Sequence, residues 1–206
     1  MNLHFGCGMS PGDGWYNCDS SPTLWLQRLP VAGFIFRRLL KPCFLPQIHY
    51  DNIVRGLSIP PASCDVIYCS HVLEHLALDE FRAAIRNVRR YLKPGGVFRA
   101  VLPNLAEHVK VYLENPEPDA AHKFLTWSGL GRASRPHGLL ARLRASFGGS
   151  AHLWMWDFKA MKAELEQAGF RDVRPVKFGD SPNPAFAAVE IPERYKWNSL
   201  AFECSC

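Results

Sequence analysis

Residues 64–102 constrain the fold more than any other part of the chain. Cys64 to Cys69 (CDVIYC) is an apolar run of strand length. From Leu78 to Leu92, Phe81, Ile85, Val88 and Leu92 recur at helical spacing. Lys93-Pro94-Gly95-Gly96 then predicts a helix stop and a turn, and Val97 to Leu102 is a second buried strand. A strand, a helix and a strand in so short a span form a right-handed crossover between parallel neighbours. Parallel strands need helical cover, so the chain is α/β.

The same order runs through the rest. Leu3 to Phe5, Trp15 to Cys18 and Ile48 to Tyr50 read as three more strands, and Phe170 to Lys177 and Ser199 to Cys204 as two last ones. Residues 24–41, interrupted by Pro30 and Gly33, read as one broken helix or two short ones. Asp157 reads as the N-cap of a helix that runs to Ala168 and closes at Gly169. The expectation is a single domain over residues 1–206. It has a Rossmann-like, mostly parallel sheet of about seven strands, the last antiparallel, with helices on both faces.

In such a sheet ligands bind at the carboxyl ends of the strands. Four ends would meet there: Gly6-Cys7-Gly8, Asp19, Asp51 and Ser70-His71. Glycines at a strand end admit close approach to the backbone. A carboxylate at the second strand can accept ribose hydroxyls or cap the helix that follows Ser20. Asp51 with Asn52 suits either an adenine edge or an ordinary turn.

The run from Ala62 to Leu76 contains Ser70-His71-Val72-Leu73-Glu74-His75. With Gly14-Trp15-Tyr16-Asn17-Cys18-Asp19 and Tyr91-Leu92-Lys93-Pro94-Gly95-Gly96-Val97, it resembles the class I S-adenosylmethionine-dependent methyltransferases. More narrowly, it is similar to their small Ser-His-Val-Leu-Glu-His subgroup of the methyltransferase-11-like type. The likeness is close over residues 2–104 and resumes at residues 152–170.

The resemblance implies methyl transfer from S-adenosylmethionine to an oxygen or nitrogen. Phe5, Gly6, Cys7 and Gly8 would line the methionine part of the cofactor. Asp19, beside Ser20, would hold the ribose, and Asp51 and Asn52 the adenine. Ser70 and His71 would face the cofactor from the acceptor side. His71, then His152, are the candidate bases. Two features depart from the family: His4 stands where an acidic residue is usual, and only Gly6 to Gly14 joins the first two strands. A parallel crossover usually takes about a dozen residues or more, so the first helix is expected to be missing. The departures leave a non-catalytic S-adenosylmethionine-binding domain as the alternative.

His71-Val72-Leu73-Glu74-His75 also matches the His-x-x-Glu-His pattern of zinc hydrolases, which requires a long helix around it. A buried strand precedes it instead, so Glu74 and His75 read as local polar residues and no metal is expected. His108, His122 and His137 read as surface or hydrogen-bonded residues. The seven scattered cysteines, with no Cys-x-x-Cys pair, read as reduced thiols of a cytoplasmic protein.

The net charge of +5 is uneven. No acidic residue falls between Asp19 and Asp51, where Arg28, Arg37, Arg38 and Lys41 stand. None falls between Asp119 and Asp157, where Lys123, Arg132, Arg135, Arg142 and Arg144 stand. These basic inserts, about residues 21–47 and 105–151, would wall an acceptor site for a small anionic molecule such as a sugar or glycan intermediate. No regular aromatic platform interleaves them, which argues against nucleic acid. Residues 24–45 are too interrupted to span a bilayer. They read as cover over the cofactor site or as a contact with the inner membrane face.

Overall fold

The computed structural model describes residues 1–134 and 151–206. Seven strands form one sheet: β1 (Asn2–Phe5), β2 (Tyr16–Asp19), β3 (Ile48–Tyr50), β4 (Cys64–Ser70), β5 (Leu92–Pro103), β6 (Arg171–Pro175) and β7 (Ser199–Ser205). Their order is β3-β2-β1-β4-β5-β7-β6. β1 to β5 run parallel, and β7 is antiparallel to both its neighbours. This is the Rossmann-like α/β sheet that the sequence predicts.

The helices are α1 (Pro22–Gln27), α2 (Gly33–Leu39), α3 (Leu78–Tyr91), α4 (Leu105–Glu114), α5 (Ala120–Trp127) and α6 (Phe158–Gln167). Pro30 and Gly33 do split residues 24–41 into two short helices. α3 buries Phe81, Ala84, Ile85, Val88 and Tyr91. α6 buries Met161 and Leu165 in the same core, to which β1 contributes Leu3 and Phe5 and β4 contributes Ile67 and Cys69. The Asp157 side chain accepts a hydrogen bond from the Ala160 N–H at 2.8 Å, as an N-cap should.

The first crossover contains no helix. Asn17 stands in for it: its amide accepts from the Gly12 N–H and donates to the carbonyls of Gly12 and Trp15. Gly12 is itself pressed on the C-terminal half, since a Cβ there would lie 2.3 Å from Val189 Cγ1. Trp15, Val66, Tyr68 and Val101 form a second core on the opposite face of the sheet. It is capped by Phe186 and Val189 around a 3-10 turn at Pro184–Ala188.

One local expectation needs correction. Lys93-Pro94-Gly95-Gly96 is not a turn before the strand but a bulge inside it. β5 starts at Leu92, paired with Cys64, and the register shifts before Val66 pairs with Val97. Gly95 takes φ +76°, and a Cβ on Gly96 would sit 2.9 Å from the Lys93 carbonyl oxygen. The glycines therefore serve a bulged strand start.

All seven cysteines are thiols, and Cys7, Cys18, Cys64, Cys69 and Cys204 are buried. No helix among the described residues is long and apolar enough to cross a membrane. Part of the second basic insert, residues 135–150 with Arg135, His137, Arg142 and Arg144, lies outside the described residues.

Candidate active site

The parallel order β3-β2-β1-β4 brings four strand tips side by side. After Phe5 the chain turns at Gly6, which takes φ +62°. A Cβ there would stand 2.2 Å from Val72 Cγ2, so glycine is required by conformation and by space. Gly8 also has positive φ, but the room beside its Cα is open. Its N–H donates to Asp19 Oδ2 at 3.0 Å. Asp19 Oδ1 accepts from the Ser21 N–H at 2.8 Å. Each carboxylate oxygen thus takes one backbone donor and keeps a lone pair for a hydroxyl. Glycine bend and carboxylate are joined directly.

Phe5 contributes backbone only, because its ring is in the main core, 6.3 Å from that of Phe98. The Cys7 side chain packs with Leu24, Phe44 and Ile48, and burial with the neighbouring Asp19 pushes its thiol up to about 12. It is no nucleophile at neutral pH. Ser20 is exposed beside Asp19.

Asp51 closes the 51–58 loop. Its Oδ2 accepts from Tyr16 Oη at 3.1 Å and from the Ser58 N–H at 3.0 Å. Asn52 Oδ1 accepts from the Val54 and Arg55 N–H groups, a turn-capping pattern. α3 holds the same loop from behind through Asn87 and the Tyr91 hydroxyl. The Asp51 backbone N–H donates to the Asp19 carbonyl, which keeps the two aspartates adjacent.

At the fourth tip, the Ser70 hydroxyl is buried with no hydrogen-bond partner among the described residues. His71 follows at φ +54°, a conformation that a β-carbon disfavours. Its Nδ1 lies 3.2 Å from Glu74 Oε1, and its Nε2 3.5 Å from the Arg194 carbonyl. His71 and His152, distant in sequence, line one cleft of about 420 Å³ with Pro103, His108, Arg194 and Lys196. The two candidate bases therefore share a cavity, at the tips of β4 and β5. A groove of about 320 Å³ between α3 and α6 lies away from these tips.

The structure also brings to the cleft residues that the sequence did not mark as part of the site. Glu74 is 1% exposed and sits on a single 3-10 turn, Leu73–His75. His71 and His75 thus do not share a helix face, and the peptidase reading of this motif lacks its helix. Arg194 and Lys196 belong to a segment with no helical or strand period. His108 is buried and hydrogen-bonds Asn198, and desolvation, with a smaller push from His152, lowers its pKa.

His4, where the resemblance implies an acidic residue, is buried. Its ring lies against Tyr68 and Trp15, and burial brings it down to about 4, so it is neutral at physiological pH.

A family model described as a methyltransferase domain matches residues 20–174. Comparison with curated proteins gives no match. Among solved structures, one similar chain belongs to the Haloferax volcanii complex that contains the Trm112 methyltransferase activator. It is 14% identical, with a TM-score of 0.50, over 99% of this chain and 81% of that one. A SAM-dependent methyltransferase from Archaeoglobus fulgidus is 15% identical, with a TM-score of 0.50, over 100% of this chain and 85% of that one. PigF with SAH is 14% identical, with a TM-score of 0.50; this chain spans 49% of its length. At such identity these likenesses speak for the fold.

Proposed function

The chain belongs to the methyltransferase domain family, and from that premise we propose that it methylates an oxygen or nitrogen of a small anionic acceptor held in the cleft beside His71. The enzyme is a class I methyltransferase and its cofactor is S-adenosylmethionine. The observation that carries the reading is the junction of Gly8 and Asp19 at the tips of β1 and β2. The residues fit the cofactor. Gly8 leaves room, Asp19 retains acceptor capacity for ribose hydroxyls, and the unpartnered Ser70 hydroxyl is a polar group in need of a ligand. Gly6, Cys7 and Gly8 would offer backbone to the methionine part, and Ser20 would flank the ribose. Asp51 and Asn52 would meet the adenine through what their loop bonds leave unused.

Bound there, the sulfonium supplies an already activated methyl group, so the protein contributes chiefly alignment and exclusion of water. Arg194 and Lys196, on the cleft wall with Glu193, favour an anionic acceptor such as a sugar or glycan intermediate. For a hydroxyl acceptor, His71, whose ring lies between Glu74 and the Arg194 carbonyl, is the first candidate to take the proton. His152 is the second candidate. The basic insert at 21–47 and the described part of the one at 105–151 would wall the acceptor site.

A finer proposal concerns location. On α2, Phe34, Ile35 and Leu39 are 64%, 55% and 71% exposed, beside Arg37 and Arg38. An apolar ridge flanked by arginines suits peripheral contact with an anionic, cytoplasmic-side membrane. Retention by vesicles with anionic lipid, lost in Phe34→Ser, supports it; no retention at low salt refutes it.

Calorimetry with S-adenosylmethionine and its demethylated product tests the main reading. Asp19→Ala should weaken binding by about 1–3 kcal/mol through the lost hydroxyl bonds. An unchanged affinity sinks the site assignment. Binding without turnover across oxygen and nitrogen acceptors would leave a non-catalytic binding domain.

A further inference from the structure

Three ligand-type side chains converge at one edge of the cleft. Glu74 is 1% exposed, and neither of its carboxylate oxygens has a hydrogen-bond partner among the described residues; His71 Nδ1, though 3.2 Å away, lies off the hydrogen-bond direction. A buried carboxylate in that condition is costly and calls for a cation. One ligand atom from each of Glu74, His75 and His152 lies within 4.8 Å of the others.

The two imidazoles are already oriented as metal ligands are. His75 Nδ1 stands 3.1 Å from the Ala151 carbonyl, and His152 Nδ1 stands 2.6 Å from the Ser128 carbonyl. A carbonyl only accepts, so in each ring Nδ1 carries the proton and Nε2 the lone pair. A backbone acceptor behind each ring fixes tautomer and direction and raises the basicity of the ligating nitrogen. The backbone holds the group together as well. The Glu74 carbonyl accepts from the N–H groups of Leu153 and Trp154 at 2.7 and 3.2 Å, which ties residues 152–154 to the 3-10 turn. Gly129 permits the arrangement: it takes φ +68°, and a Cβ there would lie 2.7 Å from His152 Nδ1.

We propose that Glu74, His75 and His152 bind one divalent transition-metal ion, Zn²⁺ being the best match, at the edge of the cleft. Two imidazoles and one carboxylate form a three-ligand zinc set that leaves a coordination position for a further oxygen. Atoms about 2.1 Å from a shared ion stand roughly 3.4 Å apart, so the side chains must close by up to about 1.4 Å. The ion neutralises a buried carboxylate that has no hydrogen-bond donor among the described residues. It also commits His152 Nε2 to ligation, which leaves His71 as the base. The ligand set is not that of the His-x-x-Glu-His hydrolases: His71 stands outside it, and Glu74 is a ligand. The inference stands on this geometry alone, independent of which acceptor is methylated.

The test uses the full chain, stripped with chelator and titrated with Zn²⁺ at neutral pH by calorimetry, with Co²⁺ absorption as a second readout. Wild type should take up one equivalent, show Co²⁺ visible bands and gain thermal stability. Glu74→Gln, which keeps the side-chain volume, and His152→Ala should each weaken binding at least about ten-fold. His122→Ala, an exposed histidine on α5, should bind as wild type does. Circular dichroism confirms that each variant is folded. Failure of wild type to bind one equivalent overturns the proposal, and so does equal binding by folded Glu74→Gln and His152→Ala. Binding of S-adenosylmethionine by Asp19→Ala reports on the cofactor site separately.

Discussion

His4 shows how one residue carries a penalty that only its surroundings reveal. In the unfolded chain its imidazole titrates near the ordinary histidine value of 6.5, while burial holds it at about 4 in the fold. Between those values the unfolded state binds more protons, so stability falls as pH falls. Its contribution is complete above pH 6.5 and lost on the way down to about 4. From pH 7.5 to pH 5 this amounts to about 2 kcal/mol. Urea unfolding at the two pH values should show that loss in wild type and a smaller one in His4→Gln; equal losses would place the titrating group elsewhere. The Leu-His-Phe-Gly-Cys-Gly run gave the position of His4 but not its neutral state, which depends on Tyr68 and Trp15 closing over it. Asp19 was legible for the opposite reason, since it ends a strand whose neighbour ends in glycines. Glu74 and His75 were not legible, because the third member of their cluster, His152, is far along the chain.

Elements with a clear period were readable, and those held by charge were not. β4, α3 and β5 follow from apolar spacing, and α6 from its period and the Asp157 cap. Residues 176–198 carry no such period, and their order comes from Arg99 on β5. Its guanidinium is fully buried, with Nη1 donating to Asp180 at 3.0 Å and to Glu203 at 3.2 Å, Nε to Glu190, and Nη2 to the Lys177 carbonyl. Tyr195 hydrogen-bonds Glu190 from the other side. Removing one partner of such a group strands the others in low dielectric, at about 3–5 kcal/mol. Arg99→Met should therefore lose that much in urea and expose residues 176–198 to protease. Arg82→Met, which breaks the exposed pair with Glu164, should change stability far less. Similar losses in both would deny the buried network its role. Because Arg194 and Lys196 stand in this segment, the Arg99 variant should also disturb the cleft.

At the scale of the molecule, the shortened first crossover and the long excursion before β7 are one structural solution. A parallel sheet needs cover on both faces, and the missing first helix leaves β1 and β4 bare on one. Trp15 fills the gap from the N-terminal side and Phe186 from the C-terminal side, with ring centroids 6.0 Å apart. Both are almost fully buried. The two ends of the chain thus build one core, which no reading of either end in isolation would supply. Trp15→Ala and Phe186→Ala should each cost about 3–5 kcal/mol. The rings pack in one cluster, so the second loss should be smaller once the first has been made, with a coupling of about 0.5–3 kcal/mol in a double-mutant cycle. Strict additivity, measured by urea unfolding of the four proteins, would mean that the two halves pack independently and that the excursion does not replace the absent helix.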